Sequence, residues 1–302
     1  MAGRKRNREL FPEVGGIVHL EHFNHEVAEH DAATTFFIHG LGFTREPYQR
    51  TDTTNMGVNI GLEQFHLPRT GRETPPFYGE IGIVHPDLAF VRARLARIEA
   101  DGLLAGTKYA LLEDSKRDLV VRSPHGIRIR LIQSGTVPFG QPIGITQVDI
   151  PVAAGKAAGI ADFFRGVMGA PVQETTVDGE TAAVVTYGPF QTVRFRERAM
   201  EDYGLYRFHL AYYVTGYNAV RARVIELGLA DPDDGARQTL FFPKIFHDTS
   251  GEPVLDFIQE IRSLHHPDFM KPYTNRWPGV ADQTVMPNEA LERVARLAQG
   301  TA

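Results

Sequence analysis

Apolar and polar positions alternate loosely from Val18 to Val27, as in a half-buried strand, and His22, Asn24 and Glu26 fall on one of its faces. The period then changes. Asp31 is placed to cap a helix that carries Phe36, Phe37 and Leu41, and Gly42 is placed to end it. Two short strands follow at 55–61 and 62–68, with Gln64 and His66 on one face and Phe65 and Leu67 on the other. From Gly79 to Asp101 a strand with Ile81 and Ile83 leads into a helix, where Leu88, Val91, Leu95 and Ile98 recur at helical spacing. TKYALLED and VVRSPHGIRIRLIQ read as strands, with a turn at Pro124 and Gly126. The predicted order is strand–helix–strand–strand–strand, twice.

The second half repeats this order. Strands are predicted at 145–152, 182–187 and 192–196, with a helix at 156–167 after the first. A further unit opens at 207–214 (RFHLAYYV), continues in a helix through Val220, Val224 and Leu227, and ends in TLFFPKIFHD and EPVLDFIQEIRSL. Leu20 matches Ile145, His22 matches Gln147, Phe36-Phe37 match Phe163-Phe164 and Gly42 matches Gly169, about 125 to 127 residues apart. That distance is too long for a solenoid and marks two homologous domains. They are expected at 17–135 and 144–262, joined by a Gly- and Pro-rich linker at 136–143. A leader at 1–16 is expected to be flexible. The segment 263–302 is expected to be an irregular, Pro-rich tail ending in a short helix from Asn288.

Composition narrows the chemistry more than the fold. The chain has 302 residues, no cysteine and a net charge of -5. Thiolate catalysis and Cys-based metal or cluster sites are therefore excluded, and any metal must rest on His, Asp, Glu or amide donors. The charge gives no reason to expect nucleic acid or an anionic membrane as partner, and no apolar run reaches the length of a span. The basic start lacks the apolar core of a signal peptide, so a cytoplasmic protein is expected. No P-loop, G-x-S-x-G or HExxH pattern is present.

The stretch LEHFNHEV…FFIHGLGF, with IGIVHPDLAFVRARL and SPHGIRIRLI downstream, resembles the vicinal oxygen chelate superfamily, which includes glyoxalases, bleomycin-resistance proteins and extradiol dioxygenases. The likeness runs over residues 18 to 262. It implies an α+β fold with two tandem domains, each of paired βαβββ modules that form a cup-shaped mixed sheet. It also implies a divalent metal (Fe, Mn, Zn, Ni or Co) held in the cup by residues of the first, fourth, fifth and eighth strands.

Carried over position by position, the resemblance places Gln147, His209 and Asp256 as metal ligands in the second half. A second candidate set is His22, Gln64, His66 and Glu80, with Glu80 and His22 also the candidate catalytic groups. Arg130, Arg194 and Arg196, with Tyr213, are candidate substrate-binding residues, since paired guanidinium donors suit carboxylate or phosphate. Neither ligand set is the His/His/Glu set of the ring-cleaving members.

The leading expectation is a metal-dependent lyase, isomerase or epimerase acting on a small oxygenated substrate through a metal-stabilised enediolate. Fe(II) extradiol ring cleavage and non-catalytic, drug-sequestering binding are the alternatives. A small-molecule partner and a homodimer are expected.

Overall fold

The computed structural model describes residues 16–46, 54–73, 77–135, 142–199, 208–233, 238–246, 251 and 253–270. The expected leader to residue 15, residues 136–141 of the linker, and the tail beyond 270 with its final helix lie outside the described residues.

Four modules follow one another. The first holds β1 (Ile17–His25), α1 (the turn Asp31–Ala33 continued by a π-helix, Thr34–Gly40), β2 (Thr44–Arg45), β3 (Asn55–Ile60) and β4 (Glu63–Pro68). The second holds β5 (Glu80–His85), α2 (Leu88–Ala100), β6 (Ala110–Asp114), β7 (Asp118–Arg122) and β8 (Arg128–Gln133). The third has β9 (Gly144–Val152), α3 (Ala157–Gly166), β10 (Val172–Val177), β11 (Glu180–Gly188) and β12 (Gln191–Glu197). The fourth has β13 (Phe208–Val214), α4 (Tyr217–Glu226), β14 (Thr239–Phe246) and β15 (Pro253–Ser263). Asp31 does not cap α1; it sits in the first turn, and the Glu29 carboxylate accepts from the backbone N–H groups of Asp31 and Ala32 instead.

The two sheets have seven and eight strands, ordered β14-β15-β13-β1-β4-β3-β2 and β10-β11-β12-β9-β5-β8-β7-β6. Each is a mixed sheet of paired modules, as the resemblance implies. The halves of the repeat, however, do not map onto the sheets. The first module pairs with the fourth through antiparallel β1 and β13, and the second with the third through antiparallel β5 and β9. Each half of the chain thus gives one module to each sheet. A repeat reveals which modules are alike; which edges dock is decided by hydrogen bonding and apolar burial between distant segments.

One apolar core serves the molecule. Phe23 packs on Phe77 and Phe208 with ring centroids 5.0 and 5.4 Å away, and Phe208 meets Phe257 at 5.2 Å. The paired phenylalanines of the repeat play matching parts: Phe37 lies on Phe65, and Phe164 on Phe195, at 5.0 and 5.5 Å. Such fully buried rings supply a large share of the burial energy, about 1.5–3 kcal/mol each. A polar clamp joins the two sheets inside this core. Gln191 donates to the carbonyls of Leu20 and Ile145 and to Glu63, and Glu63 in turn accepts from the Ile145 N–H.

Candidate metal centre

Strand register assembles the site. One rung across the seven-stranded sheet reads Gln64, His22, Ala211, Glu260; the next reads His66, Asn24, His209, Ile258. Residues two apart on a strand share a face, so these side chains all rise into one cup. The small Ala211 stands between His22 and Glu260 and leaves room above the sheet. Pairing shifts between Leu20 and His22, which makes Glu21 an extra, bulged residue. A bulge re-aims side chains, and here Glu21 reaches the cup as well: its Oε2 is 3.4 Å from His22 Nδ1.

Three donors converge. His22 Nε2 lies 3.3 Å from His209 Nε2 and 3.3 Å from Glu260 Oε2, and His209 Nε2 is 3.2 Å from that same oxygen. Donors that share one ion at about 2.1 Å each stand roughly 3 to 3.4 Å apart. The triangle therefore fits a divalent metal held by two imidazoles and one carboxylate. His22 and His209 stand on the opening strands of modules one and four, and Glu260 on the last strand of module four.

The surroundings fix the ligands in place. Arg262 Nε donates to Glu260 Oε1 at 2.6 Å, which leaves Oε2 for the centre, and Nη1 donates to Glu21. The Glu21 carboxylate, 3.4 Å from Nδ1 of His22, favours a proton on that nitrogen, which would leave Nε2 as the donor toward a metal. Burial works against charge on Glu260, but His22, His209 and Arg262 outweigh it and hold the carboxyl well below the usual range. Burial likewise opposes a proton on His22, yet Glu260 and Glu21 raise its pKa. His66 is lowered well below the ordinary imidazole value, by burial first and then by His22, and so stays neutral. Its ring stacks on His22 at 3.8 Å, and its Nε2 bonds to Gln64 Oε1 at 2.8 Å. Phe241 stands beside the centre on β14, paired with Glu260, half exposed, its ring 5.6 Å from His209.

The residues chosen from sequence divide between two cups. His22, Gln64, His66 and His209 meet in this one. Glu80, Arg130, Gln147, Arg194 and Arg196 line a cavity of about 710 Å³ over the other sheet. Gln147 is therefore not a co-ligand of His209, and Glu80 does not reach His22. Asp256 is exposed near the outer end of β15 and pairs with Lys244. It shares a face with Glu260 but stands four residues before it. Tyr213 lies on the cup face beside Arg262, its ring packed on Phe269 at 4.9 Å. Sequence reasoning missed Glu260, Glu21 and Arg262. The alternation in LDFIQEIRS puts Asp256, Glu260 and Arg262 on one face; only the rung through Ala211 singles out Glu260.

No family model matches the chain, and no curated protein matches it in sequence. Solved structures do match. A candidate dioxygenase from Bacillus subtilis subsp. subtilis str. 168 is 14% identical with a TM-score of 0.57, covering 95% of this chain and 97% of its own. Glyoxalase I from Zea mays is also 14% identical, with a TM-score of 0.56 over 84% of this chain and 94% of its own. The fold is that of the vicinal oxygen chelate proteins.

Proposed function

We propose that this protein is an Fe(II)-dependent dioxygenase of extradiol type, which opens an aromatic ring bearing two adjacent hydroxyl groups. The observation that carries this reading is the His22, His209 and Glu260 triangle. Two histidines and one carboxylate on one face of an ion are the ligand set of non-haem iron oxygenases, with the opposite positions left for substrate and dioxygen. Gln64 supports three ligands over four, because its Oε1 is engaged by His66 and its amide nitrogen donates to Asn59 at 2.5 Å and Glu46 at 3.2 Å.

Bound iron supplies the open coordination positions and the electron steps that dioxygen requires. The chain supplies the rest. Glu21 and Arg262 hold His22 and Glu260 in their ligating orientation. His66, neutral and stacked on His22, is the base for a substrate hydroxyl. Phe241 gives an exposed aromatic face on which the ring can rest.

The enediolate lyase or isomerase reading keeps one observation in its favour: the same neutral His66 can move a carbon-bound proton. Oxygen consumption separates the two. Protein loaded anaerobically with Fe(II) is expected to take up one dioxygen per catechol opened and to form a yellow ring-fission product. Turnover of hemithioacetals or hydroxy ketones without oxygen uptake would replace this proposal by the second reading. Among the described residues no helix is long and apolar enough to cross a membrane.

A further inference from the structure

A buried polar chain reaches His66 from the outer strands of the seven-stranded sheet. β2 runs antiparallel to β3, with Thr44 opposite Asn59, and just beyond it the Glu46 N–H donates to the Gly57 carbonyl at 2.9 Å. β3 pairs in turn with β4, with Gly57 opposite His66 and Asn59 opposite Gln64. Alternation puts Glu46, Gly57, Asn59, Gln64 and His66 on the cup face. Gly57 has no side chain to stand between Glu46 and β4, and the Glu46 carboxylate reaches over it to Gln64. The side chains of Glu46, Asn59 and Gln64 are all buried.

Glu46 gives this chain its direction. A carboxylate oxygen accepts hydrogen bonds, and Glu46 Oε2 lies 3.2 Å from the end of the Gln64 side chain, so that end is the NH2. Asn59 presents Oδ1 to the same nitrogen at 2.5 Å. An amide such as Asn59 can turn to suit either end of its neighbour; a carboxylate cannot. With its nitrogen held in this way, Gln64 turns Oε1 to His66 Nε2 at 2.8 Å. A carbonyl oxygen at that distance calls for the ring proton on Nε2, and the basic lone pair of the neutral ring then lies on Nδ1. Turning Gln64 end for end would set its oxygen against the Glu46 carboxylate inside the protein, where unpaired polar atoms are costly.

We propose that Glu46, acting through Gln64, is a positioning residue that sets the tautomer of His66 and so decides which ring nitrogen takes the substrate proton. The role rests on His66 being the base of the reaction proposed above, and it serves the ring-opening and enediolate readings alike. Neither Glu46 nor Gln64 belongs to the His22, His209 and Glu260 triangle. Metal content therefore separates the relay from the centre.

Long-range proton–nitrogen NMR of the full chain, labelled in histidine and treated with chelator, reads the tautomer directly, with His66 assigned by the signals lost in His66→Ala. The wild type is expected to carry the His66 proton on Nε2 alone. Glu46→Met removes the acceptor, frees Gln64 to turn, and is expected to bring in the form protonated on Nδ1; Glu46→Gln keeps the volume and serves where the first variant folds poorly. In Fe(II)-loaded protein, Glu46→Met is expected to lower kcat roughly tenfold or more, with KM and metal content nearly unchanged. A wild-type proton on Nδ1, a tautomer that neither variant moves, or a moved tautomer with kcat unchanged would each overturn the proposal. A wild type that consumes no oxygen with catechols would remove the dioxygenase reading, while the tautomer result still decides the relay.

Discussion

Arg262 ties the first cup together, and its removal has a calculable cost. Arg262→Met keeps most of the apolar stem and deletes the charge. The guanidinium bonds Glu260 through Nε at 2.6 Å and Glu21 through Nη1, and these carboxylates are only 3% and 1% exposed. Removing it strands two buried acids beside one histidine pair. Breaking a buried ion pair from one side costs about 3–5 kcal/mol. At roughly 2–4 °C per kcal/mol, the melting temperature of chelator-treated protein should fall by roughly 6–20 °C. Adding Glu21→Gln removes one stranded charge and should return at least about 1 kcal/mol. Because Glu260 has its pKa depressed, the stability it contributes is present above the ordinary carboxylate range and is lost as pH falls. The gap between variant and wild type should therefore be widest at neutral pH and narrow in acid. Urea titrations at several pH values measure all three effects. A cost under about 1 kcal/mol, or a double variant as unstable as the sum of the singles, would refute the reasoning.

Other consequences follow from single residues. His66→Ala should retain the metal while turnover drops about 10²–10⁴-fold, as loss of a general base does; equal loss of metal would mean that His66 is a ligand. Phe241→Ala should raise KM for aromatic substrates roughly 2- to 10-fold with kcat nearly unchanged, the sign of a contact made equally in ground and transition states. Glu63→Ala should cost about 1–3 kcal/mol in denaturant, since it strands the Ile145 N–H inside the core, whereas Glu63→Gln should cost less.

The module order was legible because each module announces itself locally: a strand, a helix with recurrent apolar positions, and a glycine exit; among the described residues the fourth module has two strands after its helix where the others have three. His22 and His209 were legible as cup residues because each sits on the opening strand of its module. What sequence could not supply was the docking of modules. Reading the halves as closed units grouped His209 with Gln147 and His22 with Glu80, and both groupings fail. Once β1 lies beside β13, His22 and His209 meet across a single pair of strands. Glu260 was hidden for a second reason. Asp256 lies on the same face of β15, and periodicity alone cannot choose between positions four apart on one strand. The bulge at Glu21 is invisible to alternation, which would send Glu21 away from His22. The arginines at 130, 194 and 196 were legible as a group able to grip anions; that they lie in the other cup follows only from the pairing of β5 with β9.

The metal content of the purified chain tests the central claim most directly. Elemental analysis should find one divalent ion per chain in the wild type, lost in His22→Ala, His209→Ala and Glu260→Gln and kept in Asp256→Asn and Gln147→Ala. Two ions per chain, retention in Glu260→Gln together with His209→Ala, or loss in Gln147→Ala would contradict a single centre built from the first and fourth modules.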